Sequence, residues 1–87
     1  ASARVGWPFT VRAGIRLLEG HLVGASEDLA EALRRSPESP TALRLRALVR
    51  ARQGDATGAT ADAQAARVIQ PSIDTIVVML FGEDLSR

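Results

Sequence analysis

Leu22, Ala25, Leu29, Ala32 and Leu33 recur at steps of three and four residues. That spacing puts them on one stripe and predicts an amphipathic helix over about 22–35. The stripe returns in smaller side chains at Ala56, Ala59, Ala63 and Ala66, with Ile69 at its end. The surrounding stretch, "QGDATGATADAQAARVIQP" (53–71), has few large aliphatics and reads at first as a linker. Ala is the strongest helix former, so small side chains do not imply flexibility, and a second helix is expected over 56–69. Punctuation marks the rest. Gly20 and Gly54 suit the left-handed turn that ends a helix, and Pro37 and Pro71 close the helices that follow. Ser39 can cap a helix with Pro40 at its first position, and Pro8 sits at a similar start. Asp55 is a plausible cap after Gly54, and His21 holds the equivalent slot. Five helices are expected, over about 8–19, 22–35, 40–53, 56–69 and 73–81. In the last, the β-branched run Ile76, Val77 and Val78 would suit a strand, but an apolar surface to pack against favours helix.

The chain repeats itself at an offset of 34. Arg12 falls on Arg46, Ala13 on Ala47, Arg16 on Arg50, Gly20 on Gly54 and Gly24 on Gly58. Ala25 falls on Ala59, Asp28 on Asp62, Ala32 on Ala66, Pro37 on Pro71 and Thr41 on Thr75. These are ten identities over positions 12 to 41, where this composition alone gives roughly three. Residues 53–71 are therefore the second copy of "EGHLVGASEDLAEALRRSP" (19–37). Each unit is a helical hairpin, and Thr75 and Val77 continue the register into a third. Around the two glycine turns, Arg12 faces Asp28 and Arg46 faces Asp62 at equal heights on adjacent helices, which predicts two ion pairs within the hairpins.

The period and its small residues resemble those of the tetratricopeptide repeat family. Ala13 and Ala47 match the family's small residue in the first helix. Ala25 and Ala59, then Ala32 and Ala66, match those of the second, and Pro37 and Pro71 match its closing proline. Leu29 matches the large residue between, which shrinks to Ala63; Phe9 and Leu43 stand where the family usually has Trp. The family's Leu and Tyr are replaced by Arg12 and Arg16, and again by Arg46 and Arg50. The resemblance implies an all-α fold: antiparallel hairpins stacked as a short right-handed α-solenoid. It divides a single domain, 1–87, into repeat 1 (about 6–39), repeat 2 (about 40–73) and a C-terminal helix (about 73–81).

Composition narrows the chemistry. Of 87 residues, 46% are hydrophobic and 24% charged, with a net charge of +1, which suits one small folded domain. That charge implies no basic nucleic-acid footprint, and "IVVML" is too short to span a bilayer. All basic residues are Arg, a hint of a GC-rich bacterial genome; Lys, Cys, Tyr and Asn are missing. No disulfide or thiolate metal site is expected, and no cofactor is implied. The start at Ala1 suggests a processed or excised piece, and "ASAR" is similar to a small-residue cleavage site. A cytoplasmic location is expected over a periplasmic one. His21, at a turn, reads as a solvated cap rather than a general base. Glu27, Asp28 and Glu31 beside Arg34 and Arg35 read as a solvated face rather than a metal site.

Without a nucleophile–base spacing, no catalytic residue is assigned and the chain is not expected to be an enzyme. Binding is the better prospect. The resemblance implies a concave groove lined by the first helix of each hairpin, at Thr10, Gly14, Leu17, Leu18, Thr41, Arg44, Leu45, Leu48 and Arg52. Leu45 and Leu48 would floor it; Arg44 and Arg52 would favour an acidic protein or peptide. The Asn and Lys with which one subclass of the family grips a terminal carboxylate are missing. The 73–81 helix is apolar nearly all round, so Ile76, Met79, Leu80 or Phe81 needs a cover, such as a second copy in a homodimer. Two functions follow: a protein–protein interaction module, part of a larger protein, or a structural or oligomerisation segment without a ligand of its own.

Overall fold

In the computed structural model, residues 6–82 are described. They form five helices: α1 Trp7–Leu18, α2 Leu22–Arg35, α3 Pro40–Arg52, α4 Ala56–Ile69 and α5 Ile73–Phe81. No strand occurs among the described residues, so the β-branched run of α5 is helical. Each predicted boundary lies within one residue of the observed one.

The two hairpins close by the same bonds. Gly20 takes φ +80° and Gly54 φ +87°, the left-handed conformation that costs glycine least. Their N–H groups donate to Leu17 and Ala51, and the next N–H groups, of His21 and Asp55, donate to Arg16 and Arg50, all at 2.8–3.1 Å. This is the Schellman arrangement, which satisfies carbonyls orphaned at a helix end. Asp55 accepts from Gly58 N–H and Ser39 from Ala42 N–H, so both act as caps. His21 occupies the first cap position of α2 but its side chain makes no capping bond.

One buried cluster draws on every helix, with Leu17, Leu29, Leu45, Val49 and Ile73 sealed from solvent. The hairpin partners α1–α2 and α3–α4 make the most extensive contacts, and α3 then packs chiefly on α2 and less on α1. The last helix departs from this order. It packs chiefly on α3, touches α4 lightly, and also reaches α1. Stacked helices sit about 8–10 Å apart, and a stacked repeat contacts only its neighbours. A first helix of a third unit would therefore lie too far from α1 to touch it. Instead α5 turns inward, and Phe81 lies against Gly14, where a Cβ would overlap its ring.

Candidate functional site

Both predicted ion pairs form, and each is larger than the sequence suggested. Arg12 donates to Asp28 through Nε at 3.0 Å and Nη2 at 2.7 Å, and Arg16 adds Nη1 at 3.1 Å. In the second hairpin Arg46 donates to Asp62 twice at 2.8 Å, and Arg50 adds a third bond at 2.8 Å. Asp28 and Asp62 are only 3% and 5% exposed, so these buried carboxylates are held by forked, charge-assisted bonds. Asp28 thus leaves the solvated face expected for it, because its place on α2 turns it towards α1. Arg16 and Arg50 were missed as partners of these carboxylates, although the signal was there: Arg16 lies four residues after Arg12 and Arg50 four after Arg46, on the same helix face.

Glu31 does pair with Arg34 and Arg35, at 2.6 and 2.8 Å. Hydrogen bonds from those two arginines lower its pKa to about 2. Arg34 and Arg35 are exposed and Glu31 partly so, and the three belong to the solvated face. His21 is likewise exposed, 3.7 Å from Glu19. Among the described residues no three His, Cys, Asp or Glu side chains are grouped to hold a metal ion. No described helix is long and apolar enough to cross a membrane.

The predicted groove residues do not share one open surface. Leu17 and Leu45 are sealed in the core, and Thr10, Gly14 and Thr41 are buried with them. The physical reason is twofold: α3 packs onto α1 and α2, and α5 covers the face that a straight stack would leave open. Arg52 is turned to the end of α1, where it donates to the Leu17 carbonyl at 3.1 Å. Leu18 is exposed at the end of α1, apart from the rest.

Arg44 and Leu48 do line an open groove, between α3 and α4, with Ala47, Ala51, Ala59 and Ala63. Its volume is about 370 Å³, and Thr60 and Arg67 complete the wall. Arg44 and Arg67 both donate to Asp74 at the start of α5, at 2.6 and 2.9 Å. Burial opposes the Asp74 charge, but the bonds from Arg67 and Arg44 outweigh it and hold this carboxyl below its ordinary range. Arg67 was missed in the sequence. Its signal was the repeat itself, because it replaces the buried Leu33 of the first unit. Of the residues proposed for an oligomer interface, Ile76 and Phe81 are half-buried against the core. Met79 is 79% exposed and Leu80 lies beside it in solvent.

Compared with known proteins, the chain matches no family model, no curated protein and no solved structure.

Proposed function

We propose that this chain is a non-catalytic protein-interaction module of the tetratricopeptide type, which holds a helical segment of a partner in the groove between α3 and α4. The observation that carries this reading is the groove itself: an open, Ala-floored trough with Leu48 within it and Arg44 and Arg67 on its wall. Alanines admit a helix backbone closely, and a helix laid in such a trough reads as anchors at three- and four-residue spacing. Two arginines sharing one aspartate leave the rim net positive, which favours an acidic segment. The 34-residue period and the identical hairpin turns support the family. The inward turn of α5 is a departure from a simple repeat stack.

The test is a displayed library of amphipathic helical peptides, selected on the wild-type protein. Selected peptides should bind Leu48→Glu at least tenfold more weakly. Peptides that bind both proteins equally would remove the groove from consideration.

A second reading is self-association through α5, favoured by the exposure of Met79 and Leu80 side by side. Light scattering of Leu80→Asp decides it: a dimer whose mass is unchanged by that substitution does not use this helix.

A further inference from the structure

The groove is the counterpart of a surface that the chain already fills once. At the 34-residue offset, Ala47, Ala51, Ala59 and Ala63 correspond to Ala13, Leu17, Ala25 and Leu29. Those four are at most 1% exposed, and α3 packs over both helices that carry them. In the second hairpin Ala47 and Ala63 are buried in the floor, while Ala51 is exposed and Ala59 partly so. The α3 residues in the same buried cluster are Ala42, Leu43, Leu45 and Val49, of which Ala42, Leu45 and Val49 form one stripe at steps of three and four. Their counterparts one unit earlier are Pro8, Val11 and Ile15 on α1. Pro8 and Ile15 are exposed, Ile15 by half, and Val11 is half-buried. One end of the molecule thus shows the trough, and the other end shows the ridge that fills such a trough within the chain.

Side chains differ between the two units. In the trough, Leu17 and Leu29 become Ala51 and Ala63, which opens it there, while Gly14 becomes Leu48 and fills another part. On the ridge, Leu45 becomes Val11, Ala42 becomes Pro8, and the buried Thr41 becomes Trp7, which is exposed.

We infer that the α3–α4 groove docks the α1 ridge of a second copy of this chain, head to tail, repeating the contact between its own two hairpins. This rests on the groove reading above and names the helical partner by shape and apolar surface rather than by charge. Helix α1 carries no acidic residue, and its Arg12 and Arg16 are already held by Asp28. The contact is heterologous, joining two different surfaces, so nothing in it limits the number of copies.

Sedimentation velocity over a range of concentrations tests it. The wild-type mass should rise with concentration without settling at a dimer. Ile15→Arg and Ala51→Arg, both at exposed positions, should each be monomeric with unchanged helical circular dichroism. An equimolar mixture of the two should give a 1:1 dimer and nothing larger, because one intact ridge meets one intact trough. Wild-type monomer at every concentration overturns the inference while leaving peptide binding in the groove intact. Association that survives both arginines, or that Leu80→Asp abolishes, also overturns it. Copies that associate as described, with selected peptides indifferent to Leu48→Glu, would sink the foreign-partner reading alone.

Discussion

Replacing Gly14 by Ala reports on the least expected contact in the fold, that of α5 with α1. In the interior of a helix, Gly→Ala stabilises by about 1 kcal/mol, because the backbone loses less freedom on folding. Gly14 is buried in α1, and a Cβ there would overlap the Phe81 ring. The ring must swing away or the helices must spread, and such overpacking costs about 1–3 kcal/mol. The two effects oppose each other, so Gly14→Ala in the wild type should be neutral or destabilising by up to about 2 kcal/mol. Phe81→Ala removes a half-buried ring and should cost about 2 kcal/mol, roughly half of a fully buried Phe. In that background the overlap is gone, and Gly14→Ala should recover its full stabilisation of about 1 kcal/mol. Urea unfolding followed at 222 nm, on the four proteins of this cycle, gives the coupling directly. A coupling of about 1–3 kcal/mol is expected. Equal stabilisation by Gly14→Ala in both backgrounds would refute the inward position of α5.

Asp62→Asn leaves Arg46 and Arg50 without their carboxylate. Both guanidiniums keep partial access to water, so the cost should be about 2 kcal/mol rather than that of a fully buried pair; thermal unfolding should fall by roughly 10 °C. Gly54→Ala meets nothing within 4 Å, so its cost is purely that of φ +87°, about 1–2 kcal/mol, and Gly54→Asn should cost less in the same melt. Asp74 has a folded pKa below its unfolded value, so its stabilising effect is complete above about pH 4 and is lost as pH falls through the folded value. Denaturant titrations across that range should show an acid loss that Asp74→Asn lacks. Glu31 behaves with the same sign, its contribution fading from pH 4.5 down to about 2, and Glu31→Gln should remove that part of the profile.

The repeat made most of the local structure legible. Gly20 and Gly54 announced the turns, Ser39 and Asp55 the caps, and the Ala stripe of α4 a helix, because each rests on short-range backbone chemistry. The ion pairs of Asp28 and Asp62 were legible too, since a hairpin turning at a known glycine fixes which residues stand opposite. Arg44 and Leu48 were placed on the open groove, but Thr10, Leu17, Thr41 and Leu45 were assigned to a surface they do not reach. That error has one source. A stripe on a helix states that a face is buried or open to a partner, but not which neighbour covers it.

The sequence by itself therefore determined five helices, two like hairpins and one arginine–aspartate pair that ties each hairpin, since all depend on contacts near in the chain or repeated at one period. Only the tertiary structure decided where α5 lies. Its apolar residues could have continued the stack or crossed to α1, because hydrophobic burial has no direction. The inward path joins Phe81 to Gly14 and leaves the trough between α3 and α4 open.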